Sequence, residues 1–248
     1  MTSRLGGKRA LVVGASRGIG RAISEAFVRE GASVALAARS REELDELSNA
    51  LEGVTMVVRC DLASTSDIED AIHDTLSGFG GIDVIVNSVG ILTRGKLAET
   101  AEADLERVVD INLLGALRLA RAGLPELVKT AGTLINISSE AAERGVPQLP
   151  AYCATKGAIN ALTQQLAIDY AGANVRVNAI APGTTMTSMN EQVRQTDPEW
   201  ESERSMGIPL GRLASTDDMT GAAVFLASDE ASYVTGEILN VDGGSTVT

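Results

Sequence analysis

The sequence predicts one doubly wound α/β domain, a seven-stranded parallel sheet flanked by helices on both faces. Three observations predict it. Seven short apolar runs alternate with longer amphipathic segments along the 248 residues, the pattern of parallel strands joined by helical crossovers. The composition is 44% hydrophobic but only 3% aromatic, so the core must be aliphatic, as suits strands buried on both faces. No Pro/Ser-rich linker, internal repeat or low-complexity tract divides residues 1–248; the chain reads as a single domain.

The strand segments are ALVV (10–13), VALAA (34–38), TMVV (55–58), DVIV (83–86), TLINI (133–137), VRVNAI (175–180) and EILNV (237–241). Each is short, aliphatic and rich in β-branched residues or alanine. The helical segments are 18–30, 41–51, 65–78, 102–129, 152–170 and 215–227, and the crossovers they make must be right-handed. In 152–170, Ile159, Leu162, Leu166 and Ile168 supply the apolar face. One long irregular stretch remains, 184–210, which in such a fold is a lid or a disordered insert. Met186, Met189, Trp200 and Met206 would make it an adaptable apolar cover.

A net charge of −12 argues against nucleic acid as a partner, because phosphate backbones need a basic surface. Cys60 and Cys153 stand too far apart for a metal-ligand spacing and suggest no disulfide framework; Cys153 reads as a small buried thiol. His73, the only histidine, lies in a polar helical segment, so neither a histidine triad nor a metal cluster is expected. The N-terminal segment lacks the apolar core of a signal peptide, and no run approaches a membrane span. A cytoplasmic protein without membrane contact is expected.

The first strand runs directly into GASRGIG, with Gly14, Gly18 and Gly20. Three glycines at a strand-to-helix turn let the backbone approach a pyrophosphate seated on the helix N-terminus. A turn built for packing alone would also carry them. An NAD site would place Asp or Glu at the end of the second strand for the ribose hydroxyl. Here that strand ends in Ala38 and Arg39, and Glu42 and Glu43 belong to the next helix. Arg39, with Arg17 from the glycine turn, suits a 2′-phosphate; two solvated arginines are the alternative.

Tyr152 and Lys156 stand four residues apart at the start of a helix, so a phenol and an ammonium share one face. An unperturbed tyrosine, pKa about 10, is a poor base at neutral pH. A neighbouring ammonium favours the phenolate and lowers that value, making a usable acid/base.

Together these residues resemble the short-chain dehydrogenase/reductase family, from Lys8 to about Gly244 and with motifs in the family's order. GASRGIG resembles its cofactor turn, with Ser16 and Ile19 beside the glycines and Arg17. CDLA resembles the segment whose Asp61, next to Leu62, would bind adenine, and NSVG (Asn87 to Gly90) resembles the family's Asn-Asn-Ala-Gly. Asn112, Ser139, Tyr152 and Lys156 fall on its catalytic tetrad. APGTTMT resembles the segment holding the nicotinamide carboxamide, which implies cofactor contacts at Pro182, Gly183, Thr185 and Thr187. Val13 replaces the usual Thr before the first glycine, Ser88 and Val89 replace Asn and Ala, and Thr185 stands where Ile or Val is common.

The resemblance implies a Rossmann-type fold and an oxidoreductase that moves hydride between NADP(H) and a carbonyl or secondary alcohol, with Tyr152 as general acid/base. NADP(H) is expected over NAD(H), and no metal. Ser139 would orient the substrate oxygen, Asn112 would hold a water leading from Lys156, and Lys156 would also hold the nicotinamide ribose. The substrate would be a small molecule: a 3-oxoacyl thioester, a sugar or polyol, or a small ketone. The C-terminal half resembles the 3-oxoacyl-carrier-protein reductase and gluconate dehydrogenase branches. Glu140 would touch the substrate, repel an acid or point to solvent. The alternatives are a non-catalytic NADP-binding regulator on the same fold and an epimerase or dehydratase of nucleotide sugars. The family's usual assembly implies a homotetramer packed through the 102–129 and 152–170 helices.

Overall fold

A computed structural model describes residues 3–248. Seven parallel strands form one sheet: β1 (Arg9–Val13), β2 (Ser33–Ala38), β3 (Thr55–Arg59), β4 (Val84–Asn87), β5 (Thr133–Ile137), β6 (Arg176–Pro182) and β7 (Ile238–Val241). Their order is β3-β2-β1-β4-β5-β6-β7, so the direction of winding reverses between β1 and β4. In open α/β sheets ligands bind at such a reversal, beyond the carboxyl ends of the strands.

Helices α1 (Gly18–Arg29) and α2 (Arg41–Ala50) pack on one face of the sheet and α3 (Thr65–Phe79) on the other. The chain continues through α4 (Glu102–Val109), α5 (Gly115–Thr130), α6 (Pro150–Tyr170), α7 (Glu191–Thr196), α8 (Trp200–Met206) and α9 (Thr220–Ala227). Buried aliphatic residues fill both faces of the sheet. Val12, Leu36, Val86 and Ile135 face α1 and α9, whereas Leu11, Val13, Ile85 and Leu134 face α3 and α5. Alternate residues of one strand thus enter opposite layers, as pleating requires.

Several segments differ from the sequence reading. The helix expected over 102–129 is divided by one π-helical turn, Asp110–Leu114. Such turns carry an extra residue and re-aim the side chains within them. The 152–170 helix starts two residues earlier, at Pro150, which suits a first-turn position whose N–H has no partner to lose. Its buried stripe runs through Ile159, Thr163 and Ala167, while Ile168 is 74% exposed. One residue beyond Ala167 is a rotation of about 100°, so Ile168 leaves the buried face. The 184–210 stretch is ordered, with α7 and α8 inside it. Trp200 packs with Ile208 and Leu213 over Met186 and Val193, which supplies the apolar anchor that a disordered insert would lack. Met206 faces solvent instead of covering anything. Cys153 is half-buried rather than buried, and burial pushes the Cys60 thiol up to about 12.

Candidate active site

The loops at the carboxyl ends of β1, β2, β3, β4, β5 and β6 enclose a cavity of about 390 Å³. Its floor is the glycine turn. Gly14 adopts φ +91°, and a Cβ there would lie 2.9 Å from the Ser88 carbonyl group. A Cβ on Gly20 would fall 2.2 Å from the Gly14 oxygen. These two glycines answer to close approach within the protein. Gly18, at φ +58°, opens α1 in the left-handed region that favours glycine. Val13 has no hydroxyl to tie this turn to β4, but a backbone bond does so: Ser88 N donates to Val13 O at 2.9 Å, while Gly14 N donates to Ala37 O of β2 at 2.8 Å.

Arg17 is the N-cap of α1 and offers no side-chain acceptor, so the first-turn amides keep their donor capacity toward the cavity. Ser16, Arg17, Gly18, Ile19, Arg39, Asp61, Leu62 and Gly90 line that cavity, as do Pro182, Gly183, Thr185 and Thr187. These residues fit a dinucleotide: a helix terminus for the pyrophosphate, a polar edge at Asp61, and backbone brought close by glycine. A Cβ on Gly183 would sit 2.7 Å from Asp242 Cα, so the Pro-Gly turn is fixed by the C-terminal segment. Thr185 Oγ1 donates to Gly183 O at 2.9 Å, using locally the hydroxyl that an Ile or Val would lack.

Three residues expected to contact the cofactor or the chemistry do not line the cavity. Gly20 is the packing glycine just described. Asn87 is buried, and its Nδ2 donates to Asn136 Oδ1 at 3.4 Å, holding β4 to β5. Asn112 lies in the π turn. Its Oδ1 accepts from Ile91 N and its Nδ2 donates to Ile91 O, both at 2.8 Å, with a further bond to Thr155 Oγ1 at 3.2 Å. It clamps the loop after β4 on both backbone groups.

Ser139, Tyr152 and Lys156 do come together on the cavity wall. The β5 strand ends just before Ser139, whose Oγ accepts from Ala141 N at 3.1 Å. The Lys156 ammonium is 5.7 Å from the Tyr152 ring centroid and donates to Ile137 O at 2.7 Å. Burial pushes the Tyr152 phenol up from its ordinary value, while its hydrogen bond with Ser139 pulls it down. Burial also lowers Lys156 from 10.5 to about 8. Lys156 therefore does not depress the phenol in the protein alone: desolvation of the buried phenol outweighs the Ser139 hydrogen bond. Between about 8 and 10.5 the unfolded chain binds more protons than the folded one at Lys156, so stability rises with pH there. Below about 8 the full cost of the buried charge is present.

Glu140 is buried, contrary to the solvent-facing alternative. Its Oε1 accepts from Thr184 Oγ1 at 3.2 Å, its Oε2 accepts from Ser245 Oγ, and Arg144 pairs with it at 3.1 Å. The carboxylate joins the Ser139 loop, the turn after β6 and the C-terminal segment. Glu43, assigned to α2, lines the cavity beside Arg39. Sequence reasoning missed Arg94 and Arg204, both on the cavity wall. Arg94 follows Gly90 by four residues at the carboxyl end of β4, a position that could have been read as ligand-facing. Nothing in the sequence placed Arg204, whose position depends on how α8 folds back.

Named dehydrogenases and reductases among its relatives make the chain an oxidoreductase of CH–OH groups that uses NAD(P). The chain belongs to the short-chain dehydrogenase/reductase family. Residues 14–246 match a family model described as enoyl-(acyl carrier protein) reductase. The chain is 36% identical to the 3-oxoacyl-[acyl-carrier-protein] reductase of Thermotoga maritima, over 98% of this chain and 100% of that one. It is 36% identical to 2-(S)-hydroxypropyl-CoM dehydrogenase 3 of Xanthobacter autotrophicus, over 99% of each. A gluconate 5-dehydrogenase from Burkholderia cenocepacia, solved with NADP and tartrate, superposes with a TM-score of 0.93 at 30% identity, covering 100% of this chain and 98% of that one. Among the described residues no helix is long and apolar enough to cross a membrane, and no cluster could hold a metal ion.

Proposed function

We propose that the protein reduces a carbonyl, or oxidises the matching secondary alcohol, with NADP(H) in preference to NAD(H), using Tyr152 as general acid/base. The observation that carries this reading is the convergence of Ser139, Tyr152 and Lys156 on one wall of the cavity that the glycine turn floors. The nicotinamide, when bound, supplies or accepts the hydride. Tyr152 gives its proton to the substrate oxygen, and its raised phenol keeps that proton on at neutral pH. Ser139 orients the same oxygen. Lys156 holds the nicotinamide ribose and hands protons toward Tyr152. Asn112 fixes the backbone at Ile91, which lines the site. A 3-oxoacyl thioester, a polyol or sugar, and a small ketone all fit this chemistry. The test is absorbance at the nicotinamide band with NADPH or NADP and a panel of ketones and alcohols.

The 184–210 segment acts as a lid in this reading. Met189, Trp200 and Arg204 line the cavity from above, and closure would exclude water from hydride transfer. Hydrogen exchange over 184–210 should slow when NADPH and substrate are bound; equal protection in both states would make it a fixed wall.

The protein assembles as a homotetramer with 222 symmetry in this reading. Leu114, Leu117 and Val128 on or beside α5, and Ile168 on α6, are large apolar residues left exposed in the single chain. The small face of α6 at Ala154, Gly157, Ala158 and Ala161 allows close helix approach, and β7 lies near a second interface. Light scattering at micromolar concentration should give four times the 25.8 kDa chain mass; a monomer mass overturns the assignment.

A further inference from the structure

We propose that the substrate carries an anionic group, a carboxylate or phosphate, held between Arg94 and Arg204 on the Tyr152 side of the cavity. This rests on the reading that Tyr152 works on a carbonyl or alcohol in the same cavity, and it specifies what else that molecule must carry.

The placement follows from the sheet. Loops after β1, β2 and β3 build the end of the cavity at Arg17, Arg39 and Asp61, whereas the loops after β4 and β5, with helix α6, build the end at Ser139 and Lys156. Arg94 belongs to the second group. It stands three residues beyond Ile91, whose backbone Asn112 clamps, and a Cβ on neighbouring Gly90 would lie 3.3 Å from Lys156 Nζ. Arg204 reaches the cavity from α8, one helical turn past Trp200. The two arginines thus line the cavity from two different elements, the loop after β4 and helix α8.

Neither arginine forms an ion pair among the described residues. Burial, and after it the positive charge of Arg204, lower Arg94. Two like charges lining one cavity gain when an anion enters between them. The nearby carboxylate does not fill that role, because Glu140 is committed to Arg144, Thr184 and Ser245. The cavity gathers five basic residues, Arg17, Arg39, Arg94, Lys156 and Arg204, against three acidic ones, Glu43, Asp61 and Glu140. In a chain of net charge −12 this is a local inversion of sign, and such a field draws anions in. Guanidiniums bind carboxylate and phosphate through paired N–H donors. Leu92, Val146 and Leu149 supply an apolar wall beside them, so the remainder of the molecule need not be charged.

The test compares matched substrates with wild type, Arg94→Gln and Arg204→Gln. Acetoacetate against ethyl acetoacetate, with NADPH, and gluconate against glucitol, with NADP, isolate a carboxylate; acetoacetyl-CoA brings phosphates on a thioester. Wild type should favour the anionic member of at least one set by roughly tenfold or more in kcat/KM. Each Gln variant should cut that preference by about tenfold through KM, not kcat. A preference limited to the acids identifies a small oxo or hydroxy acid; one limited to the CoA ester identifies a phosphate-bearing thioester. Equal use of anionic and neutral members by wild type, or an unchanged ratio in both variants, overturns the proposal. If no substrate turns over, calorimetric titration of tartrate into protein with NADP decides it: saturable binding lost in the double variant supports the anion site, and no binding to wild type overturns it. Tyr152→Phe should keep the tartrate binding, so a failed reaction and a failed anion site are told apart.

Discussion

Tyr152→Phe should lower turnover roughly 10²–10⁴-fold, the usual contribution of a positioned acid/base, while NADPH binding survives. The substitution removes only the phenolic oxygen. The ring stays in place, and Lys156 keeps its 2.7 Å bond to Ile137 O. Lys156→Ala should damage both turnover and cofactor binding, because in the proposed reading the lysine holds the ribose and also hands protons to Tyr152. The pH dependence carries a sign. Burial keeps Tyr152 protonated at neutral pH, and Lys156 loses its proton near 8. Carbonyl reduction should hold level below about 8 and fall above it as the proton supply behind Tyr152 drains; alcohol oxidation should rise over the same range. A Phe variant with near-normal turnover on a verified substrate would remove Tyr152 from the proton step.

The second large effect concerns the cofactor. Wild-type protein should prefer NADPH to NADH by roughly a hundredfold, taking two contacts of about 1.5 kcal/mol each at about 1.4 kcal/mol per tenfold. Arg17 and Arg39 are exposed, line the cavity and form no ion pair among the described residues, so both are free to meet a 2′-phosphate. Exposure and salt hold their benefit to the lower end of the charge-assisted range. Glu43 opposes them on the same wall, as one anion against two cations. The overall charge of −12 is spread over the surface and acts weakly at this distance. Ala38, buried at the end of β2, stands where a carboxylate would accept from the ribose hydroxyls. Ala38→Asp should therefore reverse the preference by repelling the phosphate. Equal kcat/KM with NADH and NADPH in wild type would reduce both arginines to solvated surface charges.

The strands and most of the helices were legible because their signals are local. Runs such as ALVV and TLINI are too short and too aliphatic for anything but buried parallel strands, and the glycine turn announces its place between the first strand and first helix. The π turn at Asp110–Leu114 was not legible: one extra residue leaves an apolar period almost unchanged, yet it turns Asn112 onto Ile91. The fate of Glu140 was hidden for another reason. Its partners Thr184 and Ser245 lie 44 and 105 residues away, and only the closed sheet brings them together. The same holds for Arg204, which depends on Trp200 finding Ile208 and Leu213. The direction of the Tyr152 shift was misjudged because spacing reveals the neighbouring ammonium and not the burial of both groups.

The most direct measurement of a reaction in this cavity follows NADPH absorbance with wild-type protein and a panel of ketones, oxo acids and 3-oxoacyl thioesters, alongside Tyr152→Phe. The prediction is consumption of NADPH in step with reduction of at least one carbonyl, faster than with NADH and lost in the Phe variant. Tight NADPH binding with no consumption across the whole panel, or equal rates in the two proteins, would contradict it.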